Sequence, residues 1–162
     1  MVSNRRFSFI FCLLSLSTLT SLSFSESVCS VHGGDTLTMC SGTKVRLFGA
    51  DSSELKQAYG YQAKAHMVEL VQGQDVRLTC QGKSYKRQVC QVWRGSQDIA
   101  AAMVLSGYAF DWPQYSHGLY QKQENAAKAS HAGVWVVPDG GLRPWTYRHN
   151  RYGKKEAHSI FR

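Results

Sequence analysis

The 162-residue chain has no C-x-x-C pair, no paired histidines near its cysteines and no internal repeat. The first two absences exclude the usual zinc-ligand spacings, and the third excludes repeat architectures. A membrane-length apolar run is also missing. The most apolar stretch, Phe7 to Leu22, is diluted by serines and threonines and is short for the roughly 20 residues that cross a bilayer. Arg5 and Arg6 precede it, and the small residues Ser21, Ser23 and Ser25 follow. This order of charged, apolar and small segments reads as a secretory signal peptide over residues 1–25, cut after Ser23 or Ser25. The expected location is secreted or periplasmic, with no stable membrane association after cleavage.

Removing the signal takes Cys12 and leaves Cys29, Cys40, Cys80 and Cys90. An even number in a small exported protein implies two disulfides, for which three pairings exist. Both intervals read as hairpins. Strand-like runs at 28–32 and 36–40 flank Gly33-Gly34, and runs at 76–80 and 88–93 flank Gly82-Lys83-Ser84. Residues equidistant from a hairpin turn face each other within cystine reach, which predicts Cys29–Cys40 and Cys80–Cys90. Formal net charge is +8, and loss of Arg5 and Arg6 removes two positive charges from it. A basic exported protein suits nucleic acid, anionic lipid or acidic polysaccharide, and charge alone does not choose among them.

The remaining chain reads as strands first and helices later. Short β-type runs at 28–31, 36–40 and 45–48 are followed by a helical period over 57–72, with Tyr59, Ala63, Met67 and Leu70 on one face. After the second hairpin comes a short helix at 98–106, capped by Ser96 or Gln97 and ended by Gly107. A weaker helix spans about 118–132. Beyond Trp135 periodicity is lost, and a basic end from Arg148 to Arg162 reads as an extension. The six histidines form no alternative site; His149-Asn150-Arg151 falls in that basic end. Three strands, a helix, two strands and further helices suit an α+β fold built on a five-stranded OB-type β-barrel with about three helices. The surface of such a barrel commonly holds single-stranded nucleic acid.

Three pieces of sequence carry the chemistry: Gly34-Asp35-Thr36-Leu37, the run Val45-Arg46-Leu47-Phe48-Gly49-Ala50-Asp51-Ser52-Ser53-Glu54, and Tyr85-Lys86-Arg87-Gln88-Val89. Phosphodiester hydrolysis needs an activated nucleophile and neutralisation of charge on the phosphate. Aspartates provide the oxygen ligands that a hard cation such as calcium prefers. A glutamate can take a proton from water, and arginines present planar donor forks to phosphate oxygens. Taken singly, each residue also has an ordinary use. Asp35 could form a turn, Asp51 and Glu54 could cap a helix, and the arginines could be solvated strand residues.

In order and spacing these pieces resemble the staphylococcal nuclease (thermonuclease) family, with its G-D-T, V-R-L-x-G-x-D-x-x-E and Y-G-R-x-V motifs. The likeness spans roughly 31–135 and includes Ser106-Gly107-Tyr108-Ala109 and Ala132-Gly133-Val134-Trp135. It implies three segments: a signal peptide at 1–25, a nuclease-like domain at 26–135 and a basic C-terminal extension at 136–162. It also implies a Ca2+ site formed by Asp35, Asp51 and the main-chain carbonyl of Ser52. Glu54 is then the general base, Arg46 and Arg87 the phosphate clamp, and Tyr85 and Tyr115 the groups that hold the nucleotide. Trp112 lies beside this last pair and joins the substrate-binding set.

The implied activity is calcium-dependent endonucleolytic cleavage of DNA and RNA by a monomer, with low sequence specificity. Cleavage on the 5′ side of the phosphorus would leave a 3′-phosphate. A secreted OB-type protein that binds nucleic acid without cutting it is the second reading. A disulfide-stabilised domain that binds an acidic surface is the third. The chain departs from the family pattern at Gly33, where an aspartate is common, and at Lys86, which replaces the glycine before Arg87. Ser53 replaces a frequent proline, and no acidic residue precedes Tyr85.

Overall fold

The computed structural model describes residues 25–151. The signal-peptide expectation therefore lies outside the described residues except for Ser25, as does the basic extension from residue 152 onward. Among the described residues there are eight strands: β1 (Ser25–Val31), β2 (Thr36–Met39), β3 (Lys44–Leu47), β4 (Ala50–Ser52), β5 (Asp75–Ser84), β6 (Arg87–Arg94), β7 (Gln97–Asp98) and β8 (Ala109–Asp111). Five of them close on themselves in the order β3-β2-β1-β5-β6, and a parallel β3–β6 pairing completes the ring. The expected five-stranded barrel is thus present, and closure removes the exposed edges an open sheet would carry.

Alternation along the strands explains why the ring fills. Leu37 and Met39 of β2, Val45 and Leu47 of β3, and Cys90 and Val92 of β6 turn inward and are buried, following the two-residue period of a strand. Helix α1 (Gly60–Val71) covers one end through Gly60, Ala63, Met67 and Val71. Tyr59 and Leu70, placed on that face from the sequence, are only partly buried. Helix α2 (Ile99–Leu105) adds Ile99, Ala100, Met103 and Val104. Its cap is Asp98, whose Oδ1 accepts from the amides of Ala100 and Ala101 at 2.9 and 3.2 Å. That corrects the expectation of Ser96 or Gln97. Ser96 lies in the turn before β7 and Gln97 pairs with Arg94, so both stand too far ahead of the first helical turn to cap it.

The helix read over 118–132 is present as the shorter α4 (Gln121–Ala129), and a separate short helix, α3 (Pro113–Ser116), precedes it. His117 at φ 52° and Gly118 at φ 82° both leave the right-handed region and end α3. Residues 144–151, within the stretch that lacks periodicity, form a further helix, α5. Pro144 stands at its start, where a missing N–H costs nothing. Trp145 packs with Phe110, Ala127, Val134 and Trp135 in a second, smaller core.

The disulfides are Cys29–Cys40 and Cys80–Cys90, the pairings read from the hairpins. The turn of the second hairpin differs. Both strands run on past Gly82 to a Ser84–Arg87 pair, so the turn is Tyr85-Lys86. A bulge between Cys80 and Gly82 inserts one residue, and this shift brings Cys80 opposite Cys90. Each disulfide stabilises the fold by about 2–4 kcal/mol, largely through the unfolded chain.

Candidate active site

Asp35 sits in the β1–β2 connection, Arg46 on β3, Asp51 and Ser52 on β4, Glu54 just beyond it, and Arg87 at the start of β6. Strand β4 was not apparent from the sequence. It is three residues long and pairs only with β8, with Asp51 opposite Phe110. Close backbone approach draws the Asp35 loop onto β4. A side chain at Gly34 would meet the Cβ atoms of Ser52 and Ala63 at 2.7 and 2.8 Å, so only glycine fits there. The Ser52 amide and hydroxyl then donate to Asp35 Oδ2 at 2.9 and 3.0 Å, and the Thr36 hydroxyl donates to Oδ1 at 2.8 Å.

Arg46 bridges the two aspartates. Its guanidinium lies 2.8 Å from Asp35 Oδ2 and 2.6 Å from Asp51 Oδ1. Burial pushes the Asp35 carboxyl upward, but the Arg46 charge and the Ser52 and Thr36 hydrogen bonds outweigh it and hold it below the ordinary range. Asp51 is fully buried. There burial prevails over the pull of two guanidinium groups and raises the carboxyl. Arg87 stands apart from this network. It donates to the hydroxyls of Thr36 and Ser84, each at 3.3 Å, and is in no ion pair among the described residues. Burial, then the nearby Arg46, lowers its pKa.

The second guanidinium on Asp51 belongs to Arg148 of α5, a residue that sequence reasoning left in the basic extension. Its Nη1 donates to Asp51 Oδ1 at 3.1 Å and to Glu54 Oε1 at 2.9 Å, and its Nη2 donates to Asp51 Oδ2 at 2.8 Å. These bonds hold the Arg148 pKa above its ordinary value against the opposing effect of burial. No local signal marks this arginine. It is 94 positions from Glu54 and belongs to no motif.

Asp35, Arg46, Ser52, Glu54, Arg87 and Arg148 line one open cleft of about 1040 Å3 together with Tyr85, Trp112 and Tyr115, while Asp51 lies buried behind them, held by Arg46 and Arg148. Tyr85 stands almost wholly exposed at the hairpin tip with φ 55°. It takes the left-handed conformation itself, so Lys86 sits in the turn without the freedom of the glycine it replaces. Trp112 meets Tyr115 edge to face at 4.4 Å and stacks on Trp145 at 5.8 Å with an interplanar angle of 8°. His32, Lys56, His149 and Arg151 complete a mainly basic rim, and such a cleft concentrates anions. Gly33 lies open in the same wall, with no atom within 4 Å of a Cβ placed on it.

Among the described residues no helix is long and apolar enough to cross a membrane, and the two disulfides are compatible with export. The family model described as "Staphylococcal nuclease homologue" matches residues 44–137. This span holds Arg46, Asp51, Glu54 and Arg87, while Asp35 and Arg148 fall on either side of it. An "Uncharacterized endonuclease" of Haemophilus influenzae is 34% identical over 142 residues, which cover 82% of this chain and 80% of the relative. An "Uncharacterized endonuclease" of Escherichia coli O157:H7 is 31% identical over 130 residues, 76% of this chain and 84% of its own length. A "Probable staphylococcal-like nuclease" of Oryza sativa subsp. japonica shares 28% over 118 residues, 72% of this chain but 24% of the longer plant protein. With the closed barrel and more than half its length matched, the chain belongs to the staphylococcal nuclease homologue family.

Proposed function

We propose that the protein is an exported, calcium-dependent endonuclease that hydrolyses DNA and RNA phosphodiesters with little sequence preference. The observation that carries the reading is convergence. Asp35, Glu54 and two arginines from separate segments of the chain line one cleft with a basic and aromatic rim, and Arg46 holds the buried Asp51 directly behind them. Family membership and the two relatives named as endonucleases support the same reaction class.

The donor chemistry suits calcium. Asp35, Asp51 and Ser52 bring two carboxylates and a hydroxyl together, with no thiolate or imidazole in their contacts, and few protein ligands leave room for water in the shell. Asp35, Asp51 and the Ser52 carbonyl would hold the ion, which supplies charge neutralisation at the phosphate when bound. Glu54, half-exposed on the cleft wall, accepts the proton of the attacking water once it is free of Arg148. Arg87 meets the phosphate oxygens with donors that no carboxylate occupies, so its charge is available as negative charge accumulates. Arg46 acts from beneath, fixing the two aspartates while directing its field at the same oxygens. Tyr85, Trp112 and Tyr115 offer aromatic faces to bases, a contact that tolerates any sequence.

The test is cleavage of denatured and duplex DNA, and of RNA, with calcium, with magnesium and with chelator. Calcium-supported cutting that stops on chelation is expected. Binding without cutting under every metal would instead make this a nucleic-acid-binding protein. Glu54→Gln keeps shape and removes the base, so turnover should fall about 10²–10⁴-fold while nucleic-acid affinity stays near that of the parent. Unchanged turnover in this variant would refute the role assigned to Glu54.

A further inference from the structure

We infer that α5 is a latch, in which the Arg148 guanidinium stands on the proposed cation ligands and must leave before a divalent cation binds. The inference rests on the reading of Asp35 and Asp51 as a cation site, and it concerns a residue outside the family match.

Three observations carry it. Arg148 takes up both oxygens of Asp51 and one oxygen of Glu54 at once, all within 3.1 Å. A single side chain thus ties up a proposed ligand and the proposed base together. Arg46 already holds Asp51 Oδ1 at 2.6 Å, so with Arg148 in place neither oxygen of this buried carboxylate is open to a metal. The contact is also built rather than incidental. Trp145 and Arg148, three positions apart on one face of a helix, both rest on Trp112, one stacked at 5.8 Å and the other with its Cζ 5.4 Å from the ring centre. One turn upstream, Arg143 lies over Phe110 and Trp135 at 4.4 and 4.8 Å and pairs with Glu124 at 3.2 Å. This anchors the start of α5 to the second core and leaves Arg148 at the cleft.

A guanidinium and a divalent cation cannot share Asp51. Each therefore lowers the apparent affinity for the other, and the apparent cation affinity is the intrinsic one multiplied by the fraction of molecules with the latch open. At low calcium the latch keeps Glu54 paired and the cleft closed to the metal. At high calcium Arg148 is displaced, and its charge stays beside the phosphate path.

The experiment measures calcium binding by calorimetry, without substrate, in protein that retains residues 25–162, comparing wild type with Arg148→Ala and Arg148→Lys. The Ala variant should bind with a Kd about tenfold lower or better, within the 5–150-fold range typical of such couplings. The Lys variant, which has charge but no fork, should fall between. In the wild type, calcium should reduce hydrogen-exchange protection across 144–151 and change tryptophan emission as the Trp112–Trp145 stack opens. The exchange measurement needs no substitution, so it decides even if Arg148→Ala folds poorly. Equal or weaker binding in Arg148→Ala, or unchanged protection of 144–151 at saturating calcium, overturns the latch alone. Absence of calcium binding in the wild type and both variants overturns the cation site and the latch with it.

Discussion

Arg46 and Arg87 carry the same chemistry in the sequence, yet the structure places them under opposite conditions. Arg46 lies on the barrel wall with 7% of its surface exposed, clamped between Asp35 and Asp51. Arg87 opens β6 beside the hairpin turn, held only by two hydroxyls at 3.3 Å. The acidic floor needs Arg46 in order to exist, because two carboxylates at one buried site repel each other and resist desolvation. Nothing in the fold needs the charge of Arg87. The difference teaches that one arginine is committed to the scaffold of the site, while the other is left free for what enters the cleft.

Stability and turnover should therefore separate in the two alanine variants. Arg46→Ala leaves Asp35 with no ion-pair partner and Asp51 with Arg148 alone in a low-dielectric floor, and should cost about 3–5 kcal/mol of folding free energy, read as a shift of the denaturant midpoint without calcium. Calcium should restore part of this loss by replacing the missing positive charge. Arg87→Ala should cost about 1 kcal/mol or less of stability, since only hydrogen bonds to hydroxyls are lost. Its turnover should nevertheless fall about 10²–10³-fold, the usual result of removing one transition-state donor. Equal midpoint shifts for the two variants would erase the distinction. So would wild-type turnover in Arg87→Ala.

How much of this contrast could be read from the chain depends on where each signal lies. The barrel was legible because β2 and β3 alternate polar and apolar residues cleanly and each cysteine pair encloses a short stretch with turn-forming residues. Asp35, Arg46, Asp51, Glu54 and Arg87 were legible because they lie in contiguous motifs, and the structure puts four of them on one cleft with Asp51 buried behind Arg46. Strands β4 and β8 were not, since three residues cannot display a period. The turn was misplaced at Gly82-Lys83-Ser84 because glycine is a turn former, whereas here Gly82 follows a bulge and Tyr85 accepts the left-handed backbone. Arg148 was invisible for a deeper reason. Its role exists only when α5 folds back across the barrel, and the four glycines and prolines ahead of it, at Pro138, Gly140, Gly141 and Pro144, read locally as the end of ordered structure.

Gly33 allows the acidic side to be sharpened directly. It lines the cleft, its φ is not in the left-handed region, and a Cβ placed there meets nothing within 4 Å. Gly33→Asp should fold normally and add a third carboxylate beside Asp35 and Asp51. Ligand charge count tunes calcium affinity over orders of magnitude, so a Kd lower by about tenfold is expected in calorimetry. Midpoint and nucleic-acid affinity should change little. An unaltered Kd would mean that the cation lies away from this wall, and it would weaken the assignment of Asp35 as a ligand.

The smallest effect belongs to the hairpin tip, and it tests whether that side is built for substrate at all. Tyr85 is 95% exposed and adopts φ 55°, a conformation that asparagine accepts more readily than an aromatic residue does. Packing gives no reason to have tyrosine there, because its ring touches almost nothing. Tyr85→Asn should leave the denaturant midpoint unchanged or slightly raised. If the ring stacks on a base, KM for single-stranded DNA should rise about fivefold with kcat preserved, the scale expected for one lost base–aromatic contact. A lowered midpoint would show that the ring packs in solution. An unchanged KM would remove Tyr85 from the substrate path and leave base contact to Trp112 and Tyr115, which line the same cleft, so the hairpin's contribution would then be reduced to Arg87 alone.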